Sequence, residues 1–217
     1  MEKKYFKLIA ELRNVCNMAF DKNLVDTHSG NISVGTEDGI LITKTGRSLI
    51  NLESDDFTLS ADCASSELEI HRFILKSFPA SSVFHCHPLN AIALSLRADK
   101  TKAGADGISG AIADGSAKDG SMKKLFSIYP DIQIIKPLDF ESAYFFPQIY
   151  VFPLKFIDDV KSEKFSAFNI KANDIFKENG VFMVKSHGSF SWGRTPMDAL
   201  RWAMTLESSS EIILKLS

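Results

Sequence analysis

The sequence predicts a single-domain α/β fold, and three observations predict it. The chain has 217 residues, enough for one domain with a sizeable core. Apolar runs of strand length, rich in Val, Ile and Phe, recur along it. Between them lie stretches whose apolar residues return at helical spacing. Hydrophobic residues make up 45% and charged residues 24%, the balance of an ordinary globular protein. A net charge of −2 gives no electrostatic ground for nucleic acid or an anionic membrane as partner. No apolar run reaches the ~20 residues of a spanning helix, and the charged start leads into helical patterning instead of a signal-peptide core. Three cysteines without C-x-x-C spacing (Cys16, Cys63 and Cys86) indicate a reducing compartment, so a cytoplasmic location is expected.

In chain order, a helix is expected over residues 5–20, where Phe6, Leu8, Ile9, Leu12, Val15, Cys16 and Ala19 recur at helical spacing. Asp26-Thr27-His28-Ser29-Gly30-Asn31 is a polar loop entering a strand at residues 32–34. It reads either as an ordinary turn or as backbone N–H groups presented to an anion. Residues 39–43 read as the hairpin partner strand, followed by a second small-polar loop, Lys44-Thr45-Gly46-Arg47. Residues 51–57 carry no decisive pattern. Ser65-Ser66-Glu67 opens a helical run through Leu68, Ile70, Phe73, Ile74 and Phe78, with Ser66 and Glu69 at capping-box spacing. The serines read as caps, or as anion ligands where free N–H groups and the helix dipole favour negative charge. His71 shares the face of Glu67 and reads as a ligand or as a hydrogen-bonded core histidine.

Val83-Phe84-His85-Cys86-His87-Pro88 lies in an apolar strand run. Alternation puts His85 and His87 on one face and Cys86 on the other. Such a pair either grips a metal ion or stands as two partly buried histidines. A second strand run, residues 181–186, ends in His187-Gly188, and three neutral imidazoles would leave a catalytic ion an open position. Pro88 suits the first turn of a helix through Ala91, Ile92, Leu94 and Leu96. Residues 97–124, nearly all Ala, Gly, Asp, Ser and Lys, predict a flexible insertion within the one domain spanning 1–217. An aromatic-rich segment precedes a strand at 149–152 and contains two acid–base candidates, Glu141 and Tyr144, the latter reading alternatively as a packed tyrosine. The last third predicts a helix over 170–179 closed by Gly180 in a left-handed cap, the His187 strand, and a final helix from Thr195-Pro196-Met197-Asp198.

Five of these stretches, Ser29-Gly30-Asn31-Ile32-Ser33, Leu41-Ile42-Thr43-Lys44-Thr45-Gly46, Ser65-Ser66-Glu67, His85-Cys86-His87 and His187-Gly188, follow one another over most of the chain. In that order they resemble the class II aldolase and adducin family, and within it the L-fuculose-1-phosphate aldolase-like proteins. The resemblance implies a central, mainly antiparallel sheet with helices on both faces, assembled as a homotetramer. It implies Zn2+ on His85, His87 and His187, with Glu67 both a metal ligand at rest and the catalytic acid–base group, partly solvated. It implies a small phosphorylated sugar as substrate, its phosphate held by Gly30, Asn31, Thr45, Gly46, Ser65 and Ser66. The reaction so implied is cleavage of a ketose phosphate, with zinc stabilising the enediolate.

Two alternatives accompany that reading: dehydration or epimerisation of a sugar phosphate on the same scaffold, and a non-catalytic adducin-like module. The three histidines and Glu67 disfavour the module. Some residues depart from the aldolase pattern. His28 stands where the aldolases have a small hydroxyl residue. Glu67 stands where epimerases carry aspartate, and Glu141 is the candidate for the glutamate used by the dehydratases. With Ser217 directly after the last helix, the tyrosine-bearing tail of the aldolases is expected to be missing.

Overall fold

The computed structural model describes residues 4–78, 80–97, 120–167 and 180–216. The expected helix at 170–179, and residues 98–119 of the expected insertion, lie outside the described residues. The strands are β1 Asn31–Thr36, β2 Gly39–Thr43, β3 Phe57–Thr58, β4 Ser82–Cys86, β5 Gln133–Ile135, β6 Ile149–Phe152, β7 Gly180–Val184 and β8 Gly188–Gly193. They form one eight-stranded sheet in the order β3-β2-β1-β4-β8-β7-β6-β5. All its pairings are antiparallel except β6 with β7. The helices are α1 Phe6–Asp21, α2 Leu68–Ser77, α3 Leu89–Arg97, α4 Gly120–Ile128, α5 Phe140–Phe145, α6 Lys155–Lys161, α7 Lys164–Ala167 and α8 Pro196–Leu216.

Strand alternation sorts the core into two sides. Val83 of β4, Phe182 and Val184 of β7, and Phe190 and Trp192 of β8 pack with Ile70 and Ile74 of α2 and Phe156 and Val160 of α6. The intervening residues turn the other way. Phe84 and Cys86 of β4 join Ile32 and Val34 of β1 against Leu12 and Val15 of α1 and Ala199 and Ala203 of α8. Val181 and Met183 of β7 pack against Ala91 of α3 and Leu206 of α8. The sheet is therefore covered by helices on both faces, and its fully buried central strands β4 and β8 lie side by side. Phe190 and Trp192 are completely buried, and truncating either to Ala would cost ~3–5 kcal/mol.

The structure departs from the sequence expectations at several points. Gly188–Gly193, not assigned as a strand, is β8, because Phe190 and Trp192 alternate with Ser189 and Ser191 in a period of two. Gly180 is not a left-handed cap. It begins β7 opposite Trp192, and a Cβ there would lie 2.8 Å from the indole Cζ2, so only glycine fits. The Ser66–Glu69 capping box does not form: α2 starts at Leu68, and Glu69 pairs instead with Arg72 at 2.6 Å. Residues 54–56 form a 3-10 turn leading into β3. The start of α8 follows its sequence signature, with Thr195 and Asp198 capping one another reciprocally.

Candidate metal centre

His85 lies on β4 and is 2% exposed. His87 follows the strand's last residue, and its Nε2 is 3.0 Å from Nε2 of His85. Strand alternation is what brings two imidazoles together on one face. Nδ1 of His85 is 3.0 Å from the carbonyl oxygen of Ser189. A carbonyl only accepts, so Nδ1 carries the proton and Nε2 keeps its lone pair. His187 stands in the turn between β7 and β8, one residue beyond its expected strand, with its ring 4.9 Å from that of His85 and 5.3 Å from that of His87. One nitrogen from each of the three histidines falls within a set spanning 4.8 Å.

The backbone around these rings is closely fitted. A Cβ on Gly188 would lie 2.5 Å from the carbonyl oxygen of Cys86 and 2.8 Å from Cδ2 of His87. A Cβ on Gly30, already at φ +87°, would lie 2.6 Å from the carbonyl oxygen of His85. Both glycines therefore let neighbouring backbone approach the histidine strand. Ser186, at φ +58°, makes the turn that presents His187, a conformation costing a non-glycine residue ~1–2 kcal/mol. Its N–H donates to Oγ of Ser95 on α3, 3.1 Å away. Glu207 of α8 accepts from the N–H groups of Asn90 and Ala91, fixing the start of α3 just past His87-Pro88.

Glu67 completes the cluster. Its Oε1 is 3.6 Å from Nε2 of His187 and 3.8 Å from Nζ of Lys161. Against the expectation of partial solvation, Glu67 is only 8% exposed, set at the start of α2 with His187 and Lys161 against its carboxylate. Burial alone would raise the Glu67 carboxyl. The adjacent His187 ring, with the ammonium of Lys161, more than offsets this and holds it at about 2. Burial pushes His85 well below its ordinary value and lowers His87 as well, so both are neutral donors at neutral pH.

The donor set fits a divalent ion. The Nε2–Nε2 spacing of 3.0 Å is close to the ~3.3 Å that two nitrogens subtend on a tetrahedral ion with bonds of ~2.0–2.1 Å. Nε2 of His187 and Oε2 of Glu67 are buried with no hydrogen-bond partner among the described residues. His85, His87 and His187 would hold the ion, with Glu67 beside it.

The two small-polar loops and the start of α2 adjoin one another. The Ile32 N–H donates to Oγ1 of Thr43, 3.3 Å away, beside Gly30 and Asn31. The N–H of Ser65 donates to the carbonyl of Thr43, and that of Thr45 to the carbonyl of Cys63, both at 3.1 Å. Gly30, Asn31, Thr45, Gly46, Ser65 and Ser66 thus share one region of the sheet. Their roles differ, however. The Thr45 N–H is already engaged, and Oγ of Ser65 accepts from the Glu67 N–H at 3.3 Å. Ser66 is exposed, and Gly46 is exposed at φ +71°. Oδ1 of Asn31 is buried with no partner among the described residues, unused polar capacity beside the loop.

His71 is a core histidine, not a member of the ligand set. It is fully buried, with Nδ1 2.6 Å from Oγ of Ser33. His28 is exposed, in a turn whose amides are held by Asp26. Glu141 is exposed on α5, in a groove shared with Met197 and Arg201, and Tyr144 is 77% exposed. Two contributors were missed from sequence. The Ser189 carbonyl has no side-chain signature, and Lys161 reads as an ordinary helix-surface lysine.

A family model described as the class II aldolase and adducin N-terminal domain matches residues 10–214. Among solved structures, L-fuculose-1-phosphate aldolase from Thermus thermophilus is similar with a TM-score of 0.68 at 24% identity, over 97% of this chain and 95% of that one. YgbL from Klebsiella pneumoniae, described as a putative aldolase/epimerase/decarboxylase, is similar with a TM-score of 0.70 at 18% identity, over 100% and 92% of the two chains. A sugar-phosphate aldolase from Thermotoga maritima gives 0.54 at 17% identity, over 97% and 94%. At these identities the likeness is one of fold.

Proposed function

Since the chain belongs to the class II aldolase and adducin family, we propose that it is a zinc-dependent aldolase that cleaves a ketose phosphate. The observation that carries this reading is the Glu67 carboxylate, 3.6 Å from Nε2 of His187 at the edge of a three-imidazole cluster. A divalent ion held there would supply positive charge to the oxygens of the substrate. His85, fixed by the Ser189 carbonyl, and His87 and His187 would hold it in place. Glu67, itself buried, moves the proton at the carbon beside the carbonyl. Gly46 and Ser66, with Asn31, bind the substrate phosphate, because the loops of β1 and β2 and the start of α2 adjoin one another.

Assembly as a homotetramer belongs to the same proposal. Leu138, Phe140 and Tyr144 are exposed on and before α5, as are Met197 and Ile212 of α8, and a self-contact would cover them. No helix among the described residues is long and apolar enough to cross a membrane, and a cytoplasmic setting is proposed.

The test is to incubate zinc-reconstituted protein with a panel of ketose 1-phosphates and to follow triose phosphate release with a coupled dehydrogenase. Cleavage of at least one member, abolished by a chelator, is expected. Dehydrated or epimerised products without cleavage would replace this reading with the other reactions of the scaffold.

A further inference from the structure

Lys161 places a cation at the metal centre for which the proposed reaction has given no role. It is the last residue of α6, and its Nζ lies 3.8 Å from the Glu67 oxygen that faces His187. That position follows from the core. Ile157 and Val160 of α6 pack with Ile70 and Ile74 of α2, and Phe73 of α2 meets Phe156 of α6 edge to face. Glu67 immediately precedes α2, so the contact that docks α6 on α2 also brings the ammonium to the carboxylate.

The two partners differ in solvation. The Glu67 side chain is 10% exposed and that of Lys161 is 36% exposed. A pair between two exposed groups contributes little, whereas a carboxylate taken out of water responds more strongly to a nearby charge. No hydrogen bond holds the carboxylate from its other side: Oε2 of Glu67 has no partner among the described residues. Oε1 thus stands between a ring nitrogen of the ligand set and an ammonium, at nearly equal distances.

We propose that Lys161 is a positioning residue that competes with the metal ion for the Glu67 carboxylate, holding it off the ion and available to substrate. The inference rests on the metal-centre reading of the three histidines. Lys161 acts only through Glu67. It is the counter-charge that makes leaving the metal inexpensive for a carboxylate which buried surroundings would otherwise drive onto it.

The test uses metal-free protein titrated with zinc against a chromophoric chelator. It compares the parent, Lys161→Met and Lys161→Arg, each alone and combined with Glu67→Gln, with folding checked by circular dichroism. Competition requires Lys161→Met to bind zinc more tightly, by about 2- to 5-fold, the scale of a partly exposed ion pair. Lys161→Arg keeps the charge and should stay close to the parent. Combined with Glu67→Gln, the gain from Lys161→Met should vanish. If Lys161→Met leaves zinc affinity unchanged or weaker, Lys161 does not compete for Glu67. If the gain persists with Glu67→Gln, the lysine acts by repulsion of the ion alone, and the proposal also fails. Should Lys161→Met not fold, Lys161→Gln makes the same comparison. A parent that binds no zinc overturns the metal-centre reading itself, a result distinct from either failure.

Discussion

Nδ1 of His85 lies 3.0 Å from the carbonyl oxygen of Ser189, which ties the register of β4 against β8 to the chemistry of the centre. The carbonyl sets the tautomer of the imidazole and aims its free nitrogen at His87. A shift of β8 by one residue would remove the acceptor and turn Phe190 and Trp192 out of the core.

The fit of β8 against the histidine strand is tested by Gly188→Ala. The added methyl would meet the Cys86 carbonyl at 2.5 Å and the His87 ring at 2.8 Å, so the strands must part or the ring must rotate. Zinc affinity should fall about 10- to 100-fold, the scale seen when metal-ligand support is disturbed, and denaturant titration should show reduced stability. An unchanged zinc affinity would mean that the ligand geometry does not depend on this close approach.

Ser65 and Ser66 should separate stability from binding. The Ser65 hydroxyl accepts from the Glu67 N–H, so Ser65→Ala should cost ~1 kcal/mol. Ser66 is exposed and caps nothing. Ser66→Ala should leave stability within ~0.5 kcal/mol while raising KM for a phosphorylated substrate several-fold. A Ser66→Ala protein with unaltered KM would remove Ser66 from the phosphate site.

These two serines also show what the sequence could and could not reveal. The apolar alternation around His85 and His87 is a local pattern, and so is the Thr195-Pro196 helix start; both are legible. The strand Gly39–Thr43 has in the fold the bounds its pattern predicts. Ser66 and Glu69 have the spacing of a capping box, but the pairing of Ser65 with Thr43 and of Glu69 with Arg72 decides otherwise. Gly180 looks like a helix cap because the constraint on it, the Trp192 ring, is twelve residues away across a strand pair. Lys161 carries no signal because its meaning depends on the docking of α6 against α2.

His71 should make the protein acid-sensitive. Burial lowers it from 6.5 to about 4, so between those values the unfolded chain binds a proton that the folded chain refuses. Stability is therefore present above pH 6.5 and is lost as pH falls towards 4, by up to ~3 kcal/mol from this group. His85 is lowered too and acts in the same direction. Urea midpoints at pH 7.5 and 4.5 should lie closer together for His71→Gln than for the parent. An equal separation would show that His71 does not set this dependence.

Glu67→Gln distinguishes a proton-transfer group from a structural one. The amide is isosteric, and the three imidazoles still hold the ion, so zinc content should be retained. Turnover of the cleaved ketose phosphate should fall by at least ~10²-fold. Full activity in a folded, zinc-loaded Glu67→Gln protein would assign the proton transfer to another residue.

The central claim, that His85, His87 and His187 form one metal centre, is tested most directly by zinc stoichiometry on dialysed protein by inductively coupled plasma mass spectrometry. The account predicts one ion per subunit in the parent and its loss in His85→Ala, His87→Ala and His187→Ala alike. A parent without metal after reconstitution, or full retention of zinc when any one of the three histidines is replaced, would contradict it.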